Sequence, residues 1–342
     1  MNLTTCLDSA VATNFSAAIY GTSITAFIFP YHMGRVLGYG PLPHLGHPGL
    51  GTTRDMLHHQ NGSILVFDNT SYDLIIISWG LRDNLWSIPR EETMSNARQI
   101  FRKLKETGAA VAFYNQITEY SEDYAEICDE EGVVFVSNIS DIFGNGYLKS
   151  DPIHPNEEGY GILAERVAQY LLDAGAIEYA VTCEETSGLI EEIFEQVDKL
   201  MNEAILAGFP DGCMTAIDES YTMAKFLRDN DHCYTAMWEL EEKLIRPLIS
   251  MLEVEEMREN ARVCISQAVE AGTPKITIDQ MESRYKNATE YFSTCEFDEA
   301  EMDLEWILQV EISQLKLHFF VFTILFLSSR EDCRKLNPRI SR

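Results

Sequence analysis

The pattern of apolar and polar positions changes character once along this chain. Over residues 16–180, short apolar runs alternate with longer amphipathic ones. Ala17–Tyr20 is apolar and stops at Gly21, and Tyr72–Ser78 is rich in branched residues and stops at Trp79-Gly80. Ala109–Tyr114 and Val133–Ser137 are runs of the same kind. Short continuous apolar runs bounded by turn residues read as strands buried on both faces. Between them the period lengthens to that of a helix. Glu91–Glu106 follows Pro89, sets Met94, Ala97, Ile100, Phe101 and Leu104 on one face, and stops near Gly108. Tyr120–Glu131 reads as an acidic helix ending at Gly132, and Pro155–Ala174 as one carrying Leu163, Val167, Tyr170 and Leu171. Strands alternating with helices predict an α/β fold, a flavodoxin-like three-layer α/β/α sandwich around a parallel sheet. In such sheets the chemistry sits beyond the carboxyl ends of the strands.

From about Glu184 the pattern becomes helical and acidic, which predicts an all-α C-terminal domain. Residues 204–244 align without gaps on 268–308, so the segment repeats at an offset of 64. Ala204, Ala207, Gly208, Pro210, Tyr221, Ala224, Ala236, Leu240, Glu241 and Leu244 recur as Ala268, Ala271, Gly272, Pro274, Tyr285, Ala288, Ala300, Leu304, Glu305 and Leu308. Each copy reads as a helix, a Gly-x-Pro break, a second helix, an acidic turn and a third helix, a bundle or short solenoid. The expected division is therefore a domain over 1–180, a helical domain over 181–313 and a tail over 314–342. In the tail, Leu317–Leu327 is apolar and is followed by Arg330, Arg334, Lys335, Arg339 and Arg342. The run is shorter than the roughly 20 residues that span a bilayer. A terminal helix packed on its predecessors is the simple reading, and a membrane-contacting tail is the other.

Charge sharpens the picture. The formal net charge is −28, divided as −12 over 1–180, −20 over 181–313 and +4 over 314–342. So acidic a chain lacks the basic stripes that phosphate backbones require, which argues against nucleic acid as a partner. The acids of the helical half read as solvated faces, with a protein partner or self-association as its other use. Eight cysteines stand at wide spacings with no Cys-x-x-Cys. We expect free thiols in a reducing, cytoplasmic setting. The first residues lack a basic n-region and a continuous apolar stretch, so no signal peptide is expected. Residues 40–62 are rich in Gly and Pro and read as loop. His44 and His47 within them have no acid or cysteine to complete a ligand set, so no metal or cofactor is expected.

Candidate chemistry comes from segments far apart in sequence. Gly21-Thr22-Ser23-Ile24-Thr25 ends the first strand with a serine, and Asp151-Pro152-Ile153-His154-Pro155-Asn156-Glu157-Glu158-Gly159-Tyr160 sets an acid and a histidine three residues apart before a helix. Serine needs a base to become a nucleophile, histidine supplies one, and a carboxylate fixes the imidazole tautomer. Gly80-Leu81-Arg82-Asp83-Asn84 follows the second strand, and Gly46, Gly49 and Gly51 lie in the loop between.

In this order the segments resemble the SGNH (GDSL-type) hydrolase family, over roughly residues 16–175. The family opens on Gly-Asp-Ser, where this chain has Thr22 for the aspartate. The resemblance implies a serine ester hydrolase with Ser23, Asp151 and His154 as triad. It implies an oxyanion hole from the Ser23 N–H, the N–H of Gly49 with Gly51 as rival, and the side chain at position 82. There the family's asparagine is replaced by Arg82, with Asn84 as a substitute after a loop shift. The substrate implied is a small or medium carboxylic ester, from a glycan or a lipid. The alternative is a hydrolase-fold binding or scaffold module with weak or no activity. Tyr72, Trp79 and Trp86 are expected in the core, with a place in the substrate cleft as the other reading.

Overall fold

The computed structural model describes residues 15–44 and 52–310, apart from residues 27, 59–71, 117–118, 138, 145, 152 and 179. Two compact units divide it. The first comprises residues 1–191 with 224–239, and the second 192–223 with 240–342.

The first unit is built on β1 (Ala17–Gly21), β2 (Leu74–Trp79), β3 (Ala110–Asn115) and β4 (Val134–Val136), paired in that order. Every pairing is parallel, with Ile19 opposite Ile76, Ile76 opposite Ala112 and Phe113 opposite Phe135. Alternate residues feed two cores. Tyr20, Ile75, Ile77, Trp79, Val111 and Phe113 share one buried cluster with Met56 and Leu57 of α3 (Thr53–His58), Met94 to Leu104 of α5 (Arg90–Lys105), and Tyr124 and Ile127 of α6 (Ser121–Glu131). Trp79 is its centre, 4.4 Å from Phe113 and 5.2 Å from Phe101 between ring centroids. Its indole N–H donates to the Tyr124 hydroxyl at 3.1 Å, so the one polar atom of the ring is satisfied inside the core. On the opposite face α2 (Phe29–Val36) packs on α8 (Glu157–Asp173), and Phe29 meets Tyr114 edge to face. Helices on both sides of a parallel sheet are the layers the apolar runs predicted, with boundaries shifted by a residue or two.

Short helices link these elements: α1 (Ser23–Ala26), α4 (Leu81–Leu85) and α7 (Ser140–Gly144). Beyond α8 the chain is helical, as α9 (Cys183–Ala207), α10 (Asp211–Asp229), α11 (Cys233–Leu240), α12 (Arg246–Glu270), α13 (Lys275–Ser293) and a helix over 297–310. A π-helical turn over Glu241–Ile245 joins α11 to α12.

The first unit extends past the expected boundary at residue 180 because side chains tie α11 to it. Glu165 accepts from the Thr235 N–H at 3.0 Å and lies 3.1 Å from His232 Nδ1. Tyr234 bonds the buried His32 at 3.0 Å. Gly161 gives room for this, since a Cβ there would stand 2.7 Å from Thr235.

The two aligned stretches of the helical half make the same backbone bonds. Gly208 and Gly272 both take left-handed φ, 76° and 72°, and each N–H returns to the carbonyl three residues before. Asp231 and Cys295, also 64 apart, both have positive φ, and His232 and Glu296 donate to the carbonyls of Leu227 and Tyr291. Ala204, Ala224, Ala236, Ala288 and Ala300 are buried.

The cysteines correct the free-thiol expectation. Cys183 is bonded to Cys233 and Cys213 to Cys295, each pair within one unit, while Cys128 and Cys264 are buried thiols. Separations of 50 and 82 residues carry no pairing signal in sequence, since connectivity is set by the fold. Among the described residues no helix is long and apolar enough to cross a membrane. The tail over 314–342 lies outside the described residues.

Candidate active site

Three side chains from distant parts of the chain converge beyond the carboxyl end of the sheet. Ser23 Oγ lies 3.0 Å from His154 Nε2, and His154 Nδ1 lies 2.7 Å from Asp151 Oδ2. The order serine, imidazole, carboxylate makes a hydrogen-bonded relay in which the imidazole can take the serine proton while the carboxylate orients it. The His154 side chain is 22% exposed and that of Asp151 47%, so the relay opens to solvent.

The carboxylate's second oxygen explains the spacing of Asp151 and His154. Asp151 Oδ1 accepts the backbone N–H of Ile153 at 2.7 Å and of His154 at 2.8 Å. This local turn turns the backbone so that residue 154 can meet the other oxygen. The His154 N–H, then its imidazole, then the Ile153 N–H favour the charged form and hold the Asp151 carboxyl down at about 2. Flanking bonds pin the loop: the Ser150 N–H donates to the His154 carbonyl and the Asn156 N–H to the Leu148 carbonyl. Asn156 then caps α8 by accepting the Gly159 N–H at 2.9 Å. A Cβ at Gly159 would stand 2.5 Å from the Leu148 carbonyl oxygen, so only glycine lets the helix start this close to the loop.

Ser23 opens α1, and Thr22 alone separates it from the end of β1 at Gly21. Thr22 stands where the resemblance has an aspartate, and it is buried. Its carbonyl accepts the N–H and hydroxyl of Thr25, and its hydroxyl accepts from Gln116 Nε2 at 2.8 Å. Gln116 follows β3 and is 4% exposed. Sequence reasoning missed it; its position just past a strand end was the available signal. Thr25 Oγ1 also lies 3.0 Å from His44 Nε2, and burial lowers the His44 pKa. A Cβ at Gly21 would meet the Ser78 carbonyl oxygen at 2.6 Å, so the approach of β1 to β2 needs glycine there.

The third motif behaves differently from its neighbours. Gly80, at φ 124°, turns the chain from β2 into α4. Asp83 is fully buried and accepts the N–H and hydroxyl of Thr53, with the Thr93 hydroxyl at 3.5 Å. Burial raises its pKa, and the Thr53 and Thr93 bonds oppose the rise. It clamps the start of α3 to the exit of β2. The Arg82 guanidinium lies over the Trp86 ring, 5.7 Å from its centroid, and Asn84 is exposed on α4. Trp86 is 58% exposed, which corrects its expected place in the core, whereas Trp79 is buried as expected. Tyr72 is partly buried against the Trp79 cluster. Gly46, Gly49 and Gly51 lie outside the described residues, and so does His47. Among the described residues no group of His, Cys, Asp and Glu is arranged to hold a metal.

No protein-family model and no curated protein matches the chain. Solved structures do. TesA is 18% identical at a TM-score of 0.39, over 46% of this chain and 99% of its own. A Slackia heliotrinireducens protein assigned to the SGNH hydrolases is 14% identical at 0.37, over 47% and 99%. A protein of the lipolytic G-D-S-L family from Desulfitobacterium hafniense DCB-2 is 15% identical at 0.36, over 46% and 100%. Two of these three solved structures are described as an SGNH hydrolase and a lipolytic protein of the G-D-S-L family.

Proposed function

We propose that the chain is a serine ester hydrolase that cleaves a small or medium carboxylic ester, such as an acetylated sugar or a lipid-derived ester, through an acyl-enzyme. One observation carries the reading: the unbroken relay from Ser23 Oγ through the imidazole of His154 to Asp151. In this mechanism His154 Nε2 takes the Ser23 proton as Oγ attacks the ester carbon. Asp151, ionised at any pH well above about 2, holds the proton on Nδ1 and stabilises the imidazolium. The tetrahedral intermediate collapses as Nε2 gives its proton to the leaving alcohol. Water then enters and gives a proton to His154 Nε2 as its oxygen attacks the acyl carbon; the acyl–Oγ bond breaks as Nε2 returns that proton to Ser23 Oγ, and the acid leaves.

The oxyanion requires donors aimed at one point. We assign these to the Ser23 N–H, the Gly49 N–H and position 82, with Asn84 as the alternative side chain. Loss of one such donor typically costs about a hundredfold or more in rate. An arginine drawn towards Trp86 therefore favours a slow enzyme, or one whose substrate carries negative charge. The helical half serves oligomerisation or a protein partner in this reading.

The second reading is a hydrolase-fold binding module, and the position of Arg82 over Trp86 is what favours it. Fluorophosphonate labelling and a p-nitrophenyl ester series separate the two. The enzyme reading expects stoichiometric labelling and turnover, both lost in Ser23→Ala. Equal inactivity of both proteins across the series, with no labelling, favours the module.

A further inference from the structure

We propose that Asn287 is an N-glycan acceptor and that the chain matures in an oxidising compartment, in place of the cytoplasmic setting expected from its cysteine spacing. Two independent observations carry this, and neither rests on the hydrolase reading.

The first is chemical pairing. Of the six cysteines at described positions, four form two disulfides and the other two are buried. The bonded pairs have Cα atoms 5.1 and 5.8 Å apart, within the reach a disulfide needs without backbone movement. Disulfides persist in secretory and extracellular settings and are rare in the reducing cytosol. Each bond forms by exchange with an oxidised dithiol donor. Two cysteine thiols lose two protons and two electrons to give the S–S bond, and the donor disulfide is reduced to two thiols.

The second is the distribution of asparagine. The chain has 15 asparagines and 43 serines and threonines in 342 residues, so chance would give about two Asn-x-Ser/Thr triplets. There are six, beginning at Asn2, Asn14, Asn61, Asn69, Asn138 and Asn287, none with proline in the middle. The first five asparagines lie outside the described residues. Asn287-Ala288-Thr289 lies in α13, in the unit that holds the Cys213–Cys295 bond. Ala288 points into the core, while Asn287, Thr289 and their neighbours Ser283, Lys286 and Glu290 are exposed. A glycan at Asn287 therefore leaves the packed face of α13, built from Met281, Ala288 and Phe292, undisturbed.

The transfer needs a polyprenyl-diphosphate-linked oligosaccharide. Asn287 Nδ2 bonds to the anomeric carbon of its first sugar, the bond from that carbon to the diphosphate oxygen breaks, and polyprenyl diphosphate leaves. One amide proton passes to a base on the transferring enzyme.

The test uses the full-length protein isolated from its own source, alkylated without reductant and digested. Peptide mass spectrometry is expected to find a glycopeptide at Asn287, converted to aspartate by peptide N-glycosidase, and cross-linked peptides joining 183 to 233 and 213 to 295. Asn287 bare in every molecule overturns the acceptor, and alkylated thiols at those four cysteines overturn the compartment. Thr289→Ala, expressed through a secretory pathway, is expected to lose the Asn287 glycan and keep both disulfides and any esterase activity. Glycan persisting at Asn287 in that variant overturns the triplet as its cause.

Discussion

Replacing Asp151 by asparagine tests the relay more sharply than removing the serine, because it changes one atom's chemistry and leaves the shape. Asp151 uses one oxygen for the backbone N–H groups of Ile153 and His154 and the other for the imidazole. Asparagine has one acceptor and one donor, so it has two bad choices. With its oxygen towards the backbone, its amide donates to His154 Nδ1 and drives the proton to Nε2, where it faces Ser23 and cannot accept. With the amide flipped, the right tautomer is kept but two backbone donors face a donor. Each bond so lost is worth about fivefold in an equilibrium. The flipped form is then disfavoured by about twenty-fivefold, which is the smallest loss of kcat the geometry allows. Trapping in the wrong tautomer sets the largest, about ten-thousandfold. We expect Asp151→Asn to lower kcat between these limits and leave KM nearly unchanged. The assay is p-nitrophenyl acetate hydrolysis at saturating substrate, with the fluorophosphonate labelling rate as a substrate-independent check. Because Asp151 has its pKa at about 2, the acid limb of the wild-type profile above pH 4 cannot be its titration. A variant within threefold of wild type in both assays, with Ser23→Ala inactive, would refute the role given to Asp151.

Asp83→Ala is expected to lower stability by about 1–3 kcal/mol, since it strands the Thr53 N–H in a buried place; thermal unfolding measures it. Burial raises the Asp83 pKa above its ordinary 3.8, so its contribution is complete below that value and lost as pH rises through the folded one. The stability curves of wild type and variant should converge as pH rises through that window, and parallel or diverging curves would contradict it. Gly159→Ala forces a Cβ to 2.5 Å from the Leu148 carbonyl, so the His154 loop must shift, and kcat should fall at least tenfold with the protein still folded by circular dichroism. Gln116→Ala removes the donor to Thr22, and a several-fold drop in kcat with unchanged KM is expected of a positioning residue. The double variant Cys213→Ala, Cys295→Ala should cost about 2–5 kcal/mol, read as a lowered denaturation midpoint against the oxidised wild type.

The sheet was legible because its strands are buried on both sides and so read as continuous apolar runs. Ile75, Ile76 and Ile77 feed both cores at once, and no alternation is needed to find them. The Asp151–His154 pairing was legible because a three-residue spacing across a turn is a local geometry. Bonds over long separations left no local trace. The Cys183–Cys233 and Cys213–Cys295 bonds join helices whose packing decides the pairing, and wide spacing was mistaken for independence. The extension of the first unit over 224–239 depends on Glu165 meeting residues 67 and 70 positions onward. Trp86 was misplaced for another reason: an aromatic after a strand reads as core, yet the turn at Gly80 carries it to the surface beside Arg82.

The site departs from the motif pattern at two positions, and they are not equivalent. Thr22 replaces an aspartate at a place where no reacting group is required, and the structure supplies a partner for it: the carboxamide of Gln116, 94 residues onward, donates to its hydroxyl in a buried setting. A neutral pair buried together avoids the cost of an unpaired carboxylate at that depth. The change is therefore accommodated within the packing that aims Ser23 at His154. In the proposed mechanism position 82 supplies a donor to the developing oxyanion, and here that position holds Arg82, whose guanidinium lies over the Trp86 ring. Thr22 bears on where the nucleophile stands, and Arg82 on how well the negative charge it creates is held. If the enzyme proves slow, Arg82→Asn should restore rate, whereas Thr22→Asp, which would bury a carboxylate against Gln116, should not.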